Sequence, residues 1–140
     1  TDIVFANNVR VILKSTDFKN DQVLISATRF GGQSLYDIKD KFNAAYATAA
    51  VSQMGVKDFS PVDLRKIFAG KTVSGGPRLS QTSEGFSGQS GSADLETLLQ
   101  LTHLYFTAPR KDTDLFNSFV SKQQAFLQNM MANPQVAYQD

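Results

Sequence analysis

Hydrophobic and polar positions alternate with a period of two along much of the first thirty residues. Ile3-Val4-Phe5 and Val9-Arg10-Val11-Ile12-Leu13 flank Asn7-Asn8. The stretch from Ile3 to Lys14 therefore predicts a tight hairpin, because asparagine tolerates the left-handed backbone such turns require. Along the second arm Val9, Val11 and Leu13 alternate with Arg10, Ile12 and Lys14, which predicts one face more buried than the other. The polar stretch from Ser15 to Asp21 interrupts the pattern. Gln22 to Phe30 resumes it, with Val23, Ile25 and Ala27 on one side and Leu24, Ser26 and Thr28 on the other, and Gly31-Gly32 closes the strand.

The period then changes. Phe42 to Met54 is rich in alanine, free of Pro and Gly, and repeats its apolar residues at helical spacing through Phe42, Ala45, Tyr46, Ala49 and Ala50, with Gly55 as its stop. A second, short helix is punctuated by Ser60 as cap, Pro61 at its first position, a face of Leu64, Ile67 and Phe68, and Gly70 beyond its end. From Lys71 to Gly91 the composition turns to Thr, Ser and Gly. Gly75-Gly76-Pro77 predicts a bend and Leu79 to Gly88 a further strand, together a second, polar hairpin. Helical spacing returns at Leu95, Leu98, Leu99, Thr102 and Phe106, after a Ser92 cap and before Pro109. A last helix is expected from about Asp112 to Ala132, with a stripe of Leu115, Phe116, Phe119, Phe126, Leu127 and Met130, ended by Asn133-Pro134.

The order of hairpin, strand, helices, hairpin and two long helices predicts an α+β fold: a largely antiparallel sheet with helices packed on one face. Val136-Ala137-Tyr138-Gln139-Asp140 restarts an ordered pattern, and the chain opens at Thr1 without a charged-then-apolar leader. Residues 1–140 are thus expected to be one incomplete domain cut from a longer polypeptide, which would leave apolar surface bare and favour self-association.

Composition narrows the function. At 140 residues, with 14 Lys+Arg against 13 Asp+Glu, the chain has a formal charge of +1, far from the basicity of a phosphate-binding nucleic-acid partner. No apolar run approaches the ~18–20 residues of a membrane span. Cysteine is absent, which removes disulfides, cysteine-ligated zinc and a thiol nucleophile while leaving the compartment open. The only glutamates are Glu84 and Glu96 and the only histidine is His103.

These scarce residues do not assemble into recognised chemistry. His103 falls on the polar side of its helix with Glu96 and Gln100, and Glu96 lies two turns away, so it reads as a solvated residue without metal or triad partners. The run from Ser83 to Ser92 lacks the Lys-Ser/Thr pair of a phosphate loop, and neither Ser87 nor Ser90 has glycines at both second neighbours as a nucleophile elbow requires. It reads as a polar hairpin, with a role in holding extended peptide backbone as the sharper alternative. Gly31-Gly32-Gln33-Ser34 lacks the third glycine of a dinucleotide turn. The phenylalanines read as packing, and Lys39, Lys41 and Lys57 among Asp37, Asp40 and Asp58 as a solvated rim.

Several segments together resemble the insulinase/pitrilysin family of zinc peptidases, the inverzincins. Phe5-Ala6-Asn7-Asn8-Val9-Arg10-Val11 is similar to the family hairpin L-x-N-G-V-x-V, with Asn8 where glycine is usual, and Gly31-Gly32-Gln33-Ser34 to its G-[GS]-x-x-E segment. The alanine-rich helix stands in the place of the zinc-binding helix. Leu64-Arg65-Lys66-Ile67-Phe68-Ala69-Gly70-Lys71, Asp94-Leu95-Glu96-Thr97-Leu98-Leu99-Gln100-Leu101 and Tyr105-Phe106-Thr107-Ala108-Pro109-Arg110 resemble later segments. The resemblance implies a LuxS/mitochondrial-processing-peptidase-like fold. In the family that helix carries H-x-x-E-H, two zinc-binding histidines and a glutamate that activates water. The corresponding stretch here is Asn43-Ala44-Ala45-Tyr46-Ala47-Thr48-Ala49-Ala50, and Phe42 to Met54 holds no His, Glu or Asp. The family's third ligand, a glutamate on a later helix, corresponds to the region from Ser121 to Gln128, which offers Lys122, Gln123 and Gln124.

By that resemblance the chain is a degenerate domain from the C-terminal half of a two-half bacterial member. It is expected to hold no catalytic, metal or cofactor-binding residues, with zinc in the catalytic half of a parent zinc metalloendopeptidase. Its implied function is non-catalytic: part of a peptide-enclosing chamber and of the packing between halves. Its implied partners are the remaining domains of the same polypeptide and a peptide or protein substrate, with no nucleic acid, and its implied location periplasmic or exported. The alternative is a non-enzymatic assembly or peptide-binding module on the same fold. A hydroxyl- or aspartate-based enzyme is a third class, and it predicts turnover by the chain itself.

Overall fold

The computed structural model describes residues 1–132 of the chain. Asn8 adopts φ 65°, and its N–H donates to the Phe5 carbonyl while the Phe5 N–H donates to the Val9 carbonyl, both at 2.9 Å. This turn joins β1 (Asp2–Val4) to β2 (Arg10–Ile12) in the expected hairpin. The expected difference between its faces is slight. Val11 is half-buried, but Ile3, Val4, Val9, Ile12 and Leu13 are all exposed, because the hairpin forms its own two-stranded sheet.

A second, antiparallel sheet has the order β3-β5-β4, formed by β3 (Gln22–Phe30), β5 (Ser83–Gly91) and β4 (Val73–Leu79). The bend expected at Gly75-Gly76-Pro77 is absent: all three residues lie inside β4. Pro77 is tolerated because β4 is an edge strand. Gly75 is needed for packing, since a Cβ there would stand 2.9 Å from the Phe86 ring. The turn instead occupies residues 80–82, where the Ser80 N–H donates to the Ser83 carbonyl at 2.8 Å and the two hydroxyls lie 2.7 Å apart. The strand expected from Leu79 to Gly88 accordingly shifts to β5. Gly31-Gly32 ends β3 as expected and then docks on this turn through Gly31 N–H to the Thr82 carbonyl and Gln33 N–H to the Ser80 carbonyl, each 2.9 Å.

Three of the four helix starts match the sequence reading. In α1 (Lys41–Met54) Ala44 and Ala50 are buried, while Ala47, Thr48, Val51 and Met54 are half-buried. The stripe expected through Phe42, Ala45, Tyr46 and Ala49 is therefore rotated, since alanine on every side gives the helix little intrinsic facing and its neighbours choose the buried side. α2 (Pro61–Ile67) starts with a reciprocal cap: Ser60 Oγ accepts from the Asp63 N–H at 3.2 Å and Asp63 Oδ2 accepts from the Ser60 N–H at 3.0 Å. Ser92 does not cap α3 (Leu95–Thr107). It opens a single 3-10 turn, its N–H donates to the Asp21 carbonyl at 3.0 Å, and the Asp94 carboxylate accepts from the Thr72 N–H at 2.8 Å. α4 (Thr113–Met131) begins where Asp112 Oδ1 accepts from the Leu115 N–H at 3.0 Å. The Asn133-Pro134 stop and the Val136 to Asp140 segment lie outside the described residues.

Strand alternation puts Phe86, Gly88 and Ser90 on the face covered by α3. Leu98 is fully enclosed there, and a Cβ on Gly88 would lie 2.8 Å from its Cδ1. The Phe86 ring stands 5.8 Å from that of Tyr105 and 6.2 Å from that of Phe106. Gly76, pointing the opposite way, faces Ser52 of α1, and α4 packs against α1. The α+β class and the antiparallel pairing are as expected, but the helices divide between the two sides of the sheet. The phenylalanines also depart from expectation: Phe86 and Phe119 are buried, whereas Phe18, Phe30, Phe42 and Phe106 are exposed. Among the described residues no helix is long and apolar enough to cross a membrane.

Candidate functional site

The geometry around α1 and α4 is set by the connections that end one helix and begin the other. Gly55 terminates α1 at φ 84°, and a Cβ there would collide with the Phe59 carbonyl, so only glycine fits this close approach. The chain beyond it is tied to the α3–α4 connection by Lys57 N–H to the Ala108 carbonyl at 2.7 Å and by a bridge between Val56 and Pro109. Arg110 adds two bonds: Nη1 donates to the Asp58 carbonyl at 3.2 Å and Nη2 to Asp112 Oδ2 at 2.9 Å. The Leu115 N–H and the Arg110 guanidinium together hold the Asp112 carboxyl below the ordinary aspartate range. The same carboxylate therefore caps α4 and anchors its entry beside the end of α1.

Between the two helices lies a cavity of about 400 Å3, walled by Phe42, Phe116, Phe119 and Leu127 and carrying the polar groups of Asn43, Tyr46, Gln123 and Gln124. The structure thus brings together the two segments in which the family resemblance would put metal ligands: the stretch beginning at Asn43 and the region holding Gln123 and Gln124. What they present is three neutral carboxamides and a phenol. Zinc takes imidazole, thiolate and carboxylate donors, which bring charge or a strongly basic nitrogen; a carboxamide oxygen brings neither. This donor set does not fit a zinc ion. Among the described residues no three His, Cys, Asp or Glu side chains stand close enough to hold a metal.

The remaining sequence candidates are dispersed. His103 is exposed on α3, as are Glu96 and Gln100, which bond to each other at 3.1 Å. Ser90 is buried on the α3 face of β5, its hydroxyl without a partner among the described residues, and no histidine adjoins it on the ladder. Lys39, Lys41 and Lys57 are exposed, with Lys39 Nζ 3.5 Å from Asp37. Sequence reasoning missed a second, polar cavity of about 390 Å3 whose lining includes Thr28, Thr48, Arg78, Ser80 and Ser83. These residues come from β3, α1 and the β4–β5 hairpin and form no local motif; the unbroken β5 register over Gly85 is what assembles them.

Comparisons with known proteins bear on the fold. No protein-family model matches the sequence. A zinc protease PQQL-like protein of Arabidopsis thaliana is 27% identical over 107 residues, 76% of this chain and 9% of the plant protein. The periplasmic protease PqqL from Escherichia coli superposes with a TM-score of 0.81 at 22% identity, covering 96% of this chain and 15% of that one. This is the fold of an insulinase/pitrilysin-family protease domain. A mutant of the ferredoxin protease FusC, solved in complex with Arabidopsis ferredoxin, superposes on the same peptidase-type domain with a TM-score of 0.73 at 23% identity, over 86% of this chain and 13% of its own. The chain therefore spans only 9% to 15% of the length of these proteins.

Proposed function

We propose that this peptidase-type domain is non-catalytic and forms part of the wall that encloses a peptide in a zinc metallopeptidase, packing at the same time against the other domains of its polypeptide. The observation that supports the reading is the uncharged lining of the α1/α4 cavity, to which the segments that the family resemblance assigns to metal ligands contribute Asn43, Gln123 and Gln124. A domain that orients an extended substrate and excludes solvent needs shape and hydrogen-bonding groups, not a nucleophile. Residues 1–140 act in this reading as one domain, with zinc held elsewhere in the parent protein. The periplasmic location of the similar Escherichia coli protease favours an exported protein.

The test has two arms. Zinc titrated into the full chain is expected to give no saturable binding, and the chain alone to cleave no peptide. The parent polypeptide is expected to cleave peptides in a manner abolished by a chelator and restored by zinc. Tight zinc binding by the chain that Gln124→Ala or Asn43→Ala removes overturns the reading. Parent protein without chelator-sensitive cleavage turns it into a peptide-binding or assembly module.

A further inference from the structure

The polar cavity beside β4 has an organised floor. Arg78 on β4 is paired in register with Gly85 on β5, and Gly85 with Thr28 on β3, so the three share one rung and one face of the sheet. With no side chain on the central strand, the Arg78 guanidinium reaches across β5 and donates from Nη2 to Ser26 Oγ at 3.0 Å. Gly85 is obligatory here, since a Cβ would collide with the Ala27 carbonyl. Thr48 of α1 borders the same space, and Ser80 of the β4–β5 turn and Ser83 at the start of β5 lie at its end.

The charges on this floor do not cancel. Glu84 borders the cavity, but strand alternation turns its side chain to the opposite face, where the directly opposed Arg29 meets it with Nε 3.3 Å from Oε1. Arg78 makes no ion pair among the described residues, and neither its Nε nor its Nη1 meets an acceptor there. What this open cavity presents is the exposed Arg78 guanidinium, held at one corner by Ser26, with Thr28 and Thr48 beside it and, at one end, Ser80 and Ser83, whose hydroxyls lie 2.7 Å from each other. A planar fork of parallel N–H groups matches the two oxygens of a carboxylate.

We propose that this cavity is a carboxylate-binding site for a peptide, with Arg78 as the paired donor. The carboxylate is either the C-terminal one or that of an acidic side chain. The proposal rests on the peptide-enclosing reading only for its choice of a peptide as the carrier.

The readout is the backbone N–H resonances of Thr28 and Gly85, which share the rung of Arg78, in the 15N-labelled full chain, together with the Arg78 Nε–H resonance where the arginine is retained. The probes are N-acetyl-Gly-Gly-Ala with a free carboxylate, its C-terminal amide, an N-acetylated and C-amidated Gly-Glu-Gly, and inorganic phosphate. A saturable shift with the free acid and none with its amide is expected if the C-terminal carboxylate is the ligand; a shift with the glutamyl peptide assigns the side-chain source. Arg78→Gln is expected to weaken binding by about tenfold or more, and Arg78→Lys, which keeps the charge but loses the fork, by less. Thr48→Val tests the hydroxyl wall independently, with a loss of about threefold expected from one removed hydrogen bond. Should Arg78→Gln fail to fold, the other two variants decide, and unchanged titration in both overturns the proposal. It is equally overturned if the amide binds as well as the acid, if phosphate binds and carboxylates do not, or if no probe shifts these resonances. Failure here leaves the zinc and cleavage results of the enclosing reading untouched, so the two fail separately.

Discussion

Ser60 and Asp63 show how much one short motif can settle. Ser60 as cap and the following Pro61 were legible as a helix start, and the structure adds Asp63 as the partner in two reciprocal hydrogen bonds. The Ser60 hydroxyl and backbone N–H hold the Asp63 carboxyl below its ordinary value; at Asp112 the Leu115 N–H and then Arg110 act in the same direction, and at Asp2 Arg10 does. A carboxyl whose folded value is depressed stabilises the fold above its unfolded value and loses that contribution as the pH falls through the folded one. The urea midpoint is thus expected to be level above about pH 5 and to fall as the pH drops below about 4. Ser60→Ala is expected to cost about 1 kcal/mol at neutral pH and to make the acid fall shallower. A midpoint that does not change between pH 6 and pH 2.5 contradicts the assignment.

At the scale of elements, the helices and the first three strands were legible, while the bounds of β4 and β5 and the packing between distant elements were not. Gly75-Gly76-Pro77 carried a turn signal, yet in an edge strand proline has a permitted place and Gly75 makes room for the Phe86 ring. Ser92 carried a cap signal, but its N–H is taken by Asp21 and the helix starts three residues later. α1 shows the same limit in its facing: its alanines specify a helix and leave open which side is covered. Where α3 meets β5, Leu98 and Phe86 are enclosed and Gly88 fits beneath Leu98. Leu98→Ala is expected to destabilise by about 3 kcal/mol through lost burial and an unfilled cavity. Phe18→Ala, at a side chain 91% exposed, is expected to change stability by less than about 0.5 kcal/mol. Equal effects in chemical denaturation contradict this packing.

For the molecule as a whole, the exposed side chains matter as much as the buried ones. Val4, Phe5, Ile12 and Leu13 on the first hairpin and Leu24 and Phe30 on β3 are all more than half exposed. Free sheet edges beside such residues are templates for association. Sedimentation of the 140-residue chain is expected to show an average mass that rises with concentration, and a strictly monomeric species at the highest concentration contradicts it. The candidate site was legible only in part. That Asn43 to Ala50 hold no His, Asp or Glu and that Gln123 and Gln124 are neutral could be read directly, because donor chemistry belongs to residue type. The Arg78 cavity could not, because its members are separated by tens of residues and meet only through strand register.

The sequence by itself determined the first three strands and the helical segments, where α2 and α4 begin, and which donor chemistry the α1/α4 cavity lacks. These follow from periodicity, local hydrogen bonding and residue type, all of which act over a few positions. The tertiary structure alone decided the facing of α1, the placement of Pro77 in an edge strand, the division of the helices across the sheet and the meeting of Arg78 with Thr28 over Gly85. Each of those depends on contacts between segments far apart in the chain, whose energies no local pattern contains.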